Sequence, residues 1–300
     1  MSTAVTTKGI AAMLLAGLLF TLLDATAKHL VGAYPTWQVI WARYTGQCAV
    51  VALALAPRLR TVLRTRYPGL QVLRSIAQLG ATGFFFLSLR YVGLADATAI
   101  AELAPLLITL GAALFLGETI GPRRIAGIVA AMIGALIVIR PGSSVFAPSA
   151  LLPLATAFCY AAYVLFTRRV GQSESVWTSL LYTALLGALV TSLALPGVWR
   201  PVAAGDLWAF AALAVLGSGG QFFLIRAFSL SEAGAIAPFA YIELIYAALW
   251  GALFFAEWPD AGTIAGGAVI VGAGIYVWHR EGAEARRAKR AAAARGEQGG

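Results

Sequence analysis

Ten runs of apolar residues, each about 20 residues long, follow one another along this chain with short connections. At 1.5 Å per helical residue, about 20 residues cross the roughly 30 Å hydrocarbon core of a bilayer. Because lipid offers no hydrogen-bond partners, each run is predicted to be a helix. The runs lie at about 10–30, 37–56, 70–90, 96–116, 122–140, 149–167, 177–195, 206–229, 234–256 and 261–279. The sequence therefore predicts an all-α membrane protein with ten transmembrane helices.

Composition agrees with this prediction and excludes several classes of protein. Of the 300 residues, 60% are hydrophobic and 12% are charged, and a soluble protein has about twice that charged fraction. The two cysteines, Cys48 and Cys159, lie in apolar runs, and the two histidines form no metal-ligand pair. Phosphate-binding loops and hydrolase motifs are absent from the sequence. We therefore expect no cofactor, no metal and no enzymatic activity.

The chain also contains a long internal repeat. RYVGLADATAIA from Arg90 and RAFSLSEAGAIA from Arg226 share an Arg, a Leu four residues later and an acid six residues later. Glu118 and Glu257 follow, each nine residues before the Gly of an Ile-Ala-Gly. Five spans per half is an odd number, so the second half must enter the membrane in the opposite direction. Two inverted five-helix repeats are typical of secondary transporters, whose substrate sites lie near the midplane.

Domain bounds and orientation follow from the repeat and from the basic residues. The predicted segments are an N-terminus at 1–9, a first repeat at 10–140, a linker at 141–148, a second repeat at 149–279 and a basic tail at 280–300. Lys and Arg concentrate in the loops after spans 2, 4 and 6 and in the tail, all on one side. This bias predicts a multi-pass protein of the cytoplasmic (inner) membrane with both termini in the cytoplasm. It also explains the net charge of +9 better than nucleic-acid binding does.

Among the charged residues inside the predicted spans are Asp24, Arg43, Glu102, Arg226 and Glu243. Each costs about 2.5–3.5 kcal/mol at a bilayer centre, so each requires a physical reason. Helical rise places Asp24, Arg43 and Glu102 about 9 Å below the outer surface on different helices, with Glu243 nearer the middle. We interpret Arg43 as the centre of a substrate vestibule, with the two nearby acids as candidate partners. The alternative is an ion pair that only holds helices together.

Other features of the spans add to this site. Lys28 lies four residues after Asp24 and is predicted to pair with it and reach towards the interface. Pro105 and Pro238 lie in the equivalent spans 4 and 9, and are predicted to bend both halves where the two Glu residues stand. GSGGQ at 217–221 is either a hinge or a close-packing site, with Gln221 as a polar contact in both cases.

Aromatic and small residues leave alternatives open. Trp41 and Tyr241 lie deep in their spans and are candidates for stacking on a substrate, as is Tyr160 in span 6; packing between helices is the alternative. Small residues in spans 5 and 10 permit close helix contact, either within the bundle or at a homodimer face. They are Ala126, Ala130, Gly134, Gly262, Gly266 and Gly274.

With these residues in view, the chain resembles the drug/metabolite transporter superfamily, in its ten-helix EamA-type branch. The motifs are LFLGE ending at Glu118, LFFAE ending at Glu257 and YAAYVLFTRR in span 6, and the resemblance covers roughly residues 8–280. DATAKHL with WQVIWARY, and RAFSLSEAGAIAPFAYIEL, are similar to bacterial riboflavin and S-adenosylmethionine uptake proteins. Leu244 stands where the family usually has a proline in span 9.

The sequence therefore predicts a secondary transporter that moves a small organic metabolite by alternating access. The substrate would be vitamin-like, nucleoside-like or amino-acid-like, and Glu102 or Glu243 would couple protons. The alternative is a membrane-embedded lipid-handling or hydrolytic protein. The expected partners are the substrate and the lipid bilayer. The candidate substrate-binding residues are Arg43, Asp24, Glu102, Glu243, Trp41, Tyr241, Tyr160 and Gln221.

Overall fold

The structure is a computed structural model that describes residues 7–116, 122–140, 148–170, 174–230 and 237–297. Helices are the only regular elements in this part of the chain. They are α1 Thr7–Ala33, α2 Thr36–Ala54, α3 Leu59–Val62, α4 Pro68–Ser88, α5 Leu94–Ala101, α6 Ala104–Leu116, α7 Pro122–Ile139, α8 Leu151–Val170, α9 Val176–Ala194, α10 Leu207–Leu230, α11 Ile242–Phe255 and α12 Ala261–Glu297. Glu118 and most of the predicted linker 141–148 lie outside the described residues.

The all-α membrane fold predicted from the apolar runs is confirmed. Within the described residues, six helices are long and apolar enough to cross a membrane, and two more apolar helices are shorter. The region of predicted span 4 is divided between α5 and α6, and α2 carries Gln38, Arg43 and Gln47 among its apolar residues. The backbone of α12 continues to Glu297, beyond the predicted end of span 10, because the tail is rich in Ala, Arg and Glu.

Helix packing follows the inverted repeat. Helix α1 packs along α10 of the second half, and α8, the equivalent of α1, packs along α4, the equivalent of α10. Helix α2 packs on its own equivalent α9, and α7 packs on its own equivalent α12. If each helix is replaced by its equivalent in the other half, the same set of helix pairs results. Two inverted repeats produce such an arrangement. The main interfaces therefore lie between the halves.

Spans 4 and 9 are both interrupted, as their prolines predict. Helix α5 ends at Ala101, and Glu102 occupies the turn before α6. Pro105 is the second residue of α6, where a missing backbone N–H costs little. In the second half, a 3-10 turn at Ala237–Tyr241 precedes α11, whose first turn contains Glu243. Both acidic residues therefore stand at helix interruptions.

Glycines bring several helices into close contact inside the bundle. A methyl group at Gly134 of α7 would lie 2.8 Å from the carbonyl oxygen of Gly266 of α12, so these helices cross backbone to backbone. Gly220 of α10 likewise leaves no room for a side chain, because a methyl group there would lie 2.7 Å from the ring of Phe20 of α1. Helix α10 is continuous from Leu207 to Leu230, so GSGGQ acts here as a close-packing site. At least part of the small-residue pattern in spans 5 and 10 is thus used within one chain.

The end of α11 contains a strained residue that positions Glu257. Ala256 has φ 55° and ψ 27°, in the left-handed region that a residue with a Cβ rarely occupies. The amide of Glu257 then donates to the carbonyl oxygen of Gly251 at 3.0 Å, which terminates the helix. In the first repeat, Gly117 stands at the position that matches Ala256. Reversing the chain here directs Glu257 back towards the first half.

We predict that Ala256→Gly raises the free energy of unfolding by about 0.5–1 kcal/mol, because glycine relieves the left-handed strain and loses only part of that gain to its freer unfolded chain. Thermal unfolding of the purified protein in detergent measures the change. Ala252→Gly, in the interior of α11, is the matched control and should lower the melting temperature. A lower melting temperature for Ala256→Gly would contradict the argument.

Candidate functional site

Three carboxylates from both halves face the interior of the bundle. Asp24 lies on α1, Glu102 in the break between α5 and α6, and Glu243 in the first turn of α11, and all three are partly buried. Electrostatic interaction connects Glu243 with Glu102 and with Asp24. The Glu243 side chain lies against Gly17 of α1, with its Cγ 3.0 Å from where a Cβ would stand. None of the three receives a hydrogen bond from another residue within the described part of the chain.

Arg43 lies beside this group without forming an ion pair. Its Nη1 donates to Thr82 Oγ1 at 3.1 Å, and its guanidinium lies over the rings of Phe86 and Tyr44, at 5.3 and 5.7 Å from their centroids. Its Nε is buried and has no hydrogen-bond partner. Asp24 is within electrostatic reach of Arg43, but the described residues include no ion pair between Arg43 and Asp24 or Glu102. An ion pair that only holds helices together is therefore not what Arg43 provides here.

Two of the predicted aromatic residues lie near the carboxylates. Tyr160 of α8 is within electrostatic range of Glu243 and Glu102, and its ring centroid lies 5.7 Å from that of Tyr163. Tyr241 is within range of Glu102 and packs its hydroxyl end on Gly274 of α12. Two tyrosine side chains, Tyr160 and Tyr241, therefore lie within electrostatic range of the carboxylates.

The other two predicted residues are placed differently. The Nε1 of Trp41 donates to Ser192 Oγ at 2.9 Å, and its ring meets Trp199 edge-on at 5.7 Å. Trp41 thus fastens α2 to the end of α9 and the loop beyond it. Gln221 is half-buried on α10, next to the contact between Gly220 and Phe20. Neither side chain has a described contact with the three carboxylates.

The structure also reveals a buried cation that the sequence argument overlooked. Arg74 of α4 is 2% exposed. Its Nε donates to Thr167 at 2.6 Å, its Nη1 to the Ser179 carbonyl at 2.7 Å and to Thr183 at 3.2 Å, and its Nη2 to Tyr163 at 3.0 Å. These bonds join α4 to α8 and α9. The sequence signal was a charged residue four positions inside the third apolar run.

One end of the bundle, which we call the Glu257 end, is closed by polar contacts between the halves. Lys28 of α1 forms an ion pair with Glu257 at 2.8 Å and donates to the carbonyl oxygens of Leu89 and Val92 at 3.3 and 2.9 Å. The other carboxylate oxygen of Glu257 accepts the amide of Leu94, the first residue of α5, at 3.1 Å. Lys28 therefore does not make the predicted pair with Asp24, because tertiary packing presents a carboxylate from the second half.

A second set of contacts closes the same end. Arg140, after α7, pairs with Asp260, which also accepts the amide of Thr263 at 2.9 Å at the start of α12. Thr263 in turn donates to Asp96 of α5. The hydrogen bond from Arg140 lowers the pKa of Asp260 to about 2. These contacts also join the first half to the second, and they form on the N-terminal turns of α5 and α12.

Nearby, the loop before α10 is held by the first half. The Tyr34 hydroxyl, between α1 and α2, donates to Asp206 at 2.6 Å. Gln38 of α2 both donates to and accepts from the backbone of Arg200, at 2.8 and 2.9 Å. The Glu257 end is thus closed along several helices.

We predict that Arg74→Ala lowers the free energy of unfolding by about 3 kcal/mol, because buried hydroxyl and carbonyl groups on α8 and α9 lose their donor. Thermal unfolding in detergent provides the measurement. Arg64→Ala removes an exposed arginine from the loop before α4 and should leave the melting temperature nearly unchanged. Equal effects of the two substitutions would show that the Arg74 network contributes little.

Comparisons with known proteins extend over most of the chain. Residues 7–140 and 147–278 each match the sequence profile of the EamA-like transporter family. The pseudopaline exporter CntI of Pseudomonas aeruginosa is 30% identical over 88% of this chain and 93% of its own length. A riboflavin transporter of Rhizobium johnstonii is 30% identical over 90% of each chain. An S-adenosylmethionine uptake transporter of Rickettsia felis is 27% identical over 86% of this chain and 88% of its own.

The fold also matches a solved crystal structure. It is similar with a TM-score of 0.61 and 26% sequence identity, and the alignment covers 92% of this chain and 97% of the other. The similarity thus includes both halves of the present structure.

Proposed function

Because the chain belongs to the EamA-like transporter family, within the drug/metabolite transporter superfamily, we propose that it moves its small-metabolite substrate by alternating access. The family resemblance and the transport function predicted from the motifs are confirmed, and the lipid-handling or hydrolytic alternative is not favoured. The substrate would bind between the two halves, at the carboxylates that both halves contribute.

The observation that carries this proposal is that, among the described residues, Asp24, Glu102 and Glu243 accept no hydrogen bond from another side chain or backbone amide. A carboxylate inside a membrane bundle is costly unless a positive charge or hydrogen-bond donors accompany it. Since other residues do not hydrogen-bond to these three in the part of the chain that the structure describes, the site favours a partner supplied by a ligand. A proton or a positively charged group of the substrate meets this requirement.

The surrounding residues suggest what else the substrate carries. Tyr160 and Tyr241 offer aromatic faces that suit a ring or a desolvated cation. The unpartnered Nε of Arg43 can donate to a carboxylate or carbonyl of the substrate. The remaining predicted residues, Trp41 and Gln221, stay predictions from the sequence.

The charge of the site favours one substrate class among the names of the relatives. The three carboxylates outnumber the guanidinium of Arg43, which interacts electrostatically with Asp24, so a metabolite with a positive charge complements these groups better than a neutral one. We propose an amino-acid-like or S-adenosylmethionine-like cation, with riboflavin as the alternative that a relative's name supports. Those names include an exporter and an uptake transporter, so the direction of transport is left to experiment.

We further propose that Glu102 and Glu243 couple protons to transport. They stand at equivalent helix interruptions in the two halves and interact electrostatically. Two like charges at close range in a low-dielectric interior repel each other, so a proton or a substrate cation is favoured between them. Exchange of the proton for the substrate cation between these two acids would couple proton movement to substrate transport.

For the arrangement in the membrane, we propose the one that the sequence predicts. The basic loops and tail favour cytoplasmic termini in the inner membrane, and the two family matches support halves at about 10–140 and 149–279. The family and the relatives' names favour transport over catalysis. A homodimer remains a prediction.

Transport in proteoliposomes tests the proposed site. We expect Glu102→Gln and Glu243→Gln each to reduce S-adenosylmethionine exchange at least about tenfold, because a neutral amide neither attracts a cation nor releases a proton. Glu284→Gln, in the charged tail, is the matched control and should transport like the wild type. Riboflavin is assayed in parallel. Full activity of both site variants towards every transported compound would refute the site.

A further inference from the structure

Lys28 lies within reach of two carboxylates and binds only one of them in this structure. It pairs with Glu257 at 2.8 Å and closes the Glu257 end. Asp24 lies one helical turn earlier on the same face of α1, and an acid four residues before a lysine is the favoured order for an ion pair on a helix. Asp24 is partly buried and receives no hydrogen bond within the described residues. Two acids therefore compete for one ammonium group.

The closed arrangement satisfies Lys28 fully. Its side chain is 9% exposed, and its three N–H groups meet Glu257 and the carbonyl oxygens of Leu89 and Val92. When the Glu257 end opens, the second half withdraws Glu257, and the ammonium of Lys28 loses its carboxylate partner. Asp24 moves with Lys28 on the same helix, so it remains available in every state.

We infer that Lys28 is a two-position switch, bound to Glu257 when the Glu257 end is closed and to Asp24 when that end opens. The inference rests on the proposed function, because Asp24 also belongs to the proposed substrate site. A bound cation or proton at Asp24 removes the competing charge and leaves Lys28 on Glu257. The loaded site therefore favours closure of this end, and the empty site favours opening.

The other groups that face Asp24 are compatible with this role. Arg43 of α2 attracts the Asp24 charge, yet it bonds to Thr82 and forms no ion pair with Asp24. Glu243 of α11 repels the Asp24 charge, so neutralising either acid removes the electrostatic repulsion on the other. Only Asp24 shares a helix with Lys28, which makes its effect on the switch different from that of Glu243.

The state of the Glu257 end can be measured without a transport assay. Tyr91 of the first half and Trp258 of the second are 63% and 81% exposed, and neither side chain takes part in the contacts between the halves described for that end. In a background with Cys48→Ala and Cys159→Ala, spin labels attached through Tyr91→Cys and Trp258→Cys report the separation of the halves. Double electron–electron resonance in nanodiscs, without added substrate, gives the ratio of closed to open distances.

We expect Asp24→Asn to raise the closed-to-open ratio about 1.4- to 2.3-fold, the size expected for one helical ion pair. Glu257→Gln should lower the ratio. In a Lys28→Gln background, the effect of Asp24→Asn should disappear, because no ammonium remains to be shared. Glu243→Gln is the control, a site carboxylate on another helix, and its effect should survive Lys28→Gln.

Two results would overturn the switch: no change in the ratio with Asp24→Asn, or an equal change with Lys28→Gln present. These results leave the transport proposal standing if the proteoliposomes still exchange metabolite. Conversely, the expected distance changes together with inactive proteoliposomes would support the switch and refute the proposed substrates. The two failures are therefore distinguishable.

Discussion

A bilayer offers no hydrogen-bond partners, so each polar side chain inside the helical bundle depends on another helix or on a ligand. Arg74 shows the first solution, with hydroxyl and carbonyl groups of α8 and α9 around its guanidinium. Asp24, Glu102 and Glu243 show the second, since other residues leave these carboxylates unbonded in the described part of the chain. The same physical requirement thus makes Arg74 a structural contact between helices and makes the three carboxylates candidates for binding a ligand.

The inverted repeat determines where Arg74 and the three carboxylates lie in the bundle. Its interrupted spans 4 and 9 each place an acid, Glu102 or Glu243, at a helix interruption, and its main helix pairs join the halves rather than the neighbours within one half. Relative movement of the halves therefore changes the site and its closure together. The Glu257 end, closed by Lys28 and by the pair of Arg140 and Asp260, is where such movement would break the most polar contacts.

Glycine and alanine residues determine how closely the helices pack and where one helix ends. Gly134 and Gly266 allow α7 and α12 to touch, so the last helix of each half supports the other. Ala256 adopts a left-handed conformation at the end of α11 and thereby presents Glu257 to α1 and α5. A single backbone reversal therefore positions the acid on which closure depends.

What could be predicted from the sequence alone was everything that depends on local hydrogen bonding and periodicity. Helices, their interruption near Pro105 and Pro238, the duplication and the family all follow from residues close together or from repeated motifs. The tertiary structure alone decided which distant residues meet. Lys28 binds Glu257 rather than Asp24, Arg43 bonds to Thr82, and Arg74 is enclosed by the second half. These choices depend on the rotation and separation of packed helices, which no local pattern in the chain encodes.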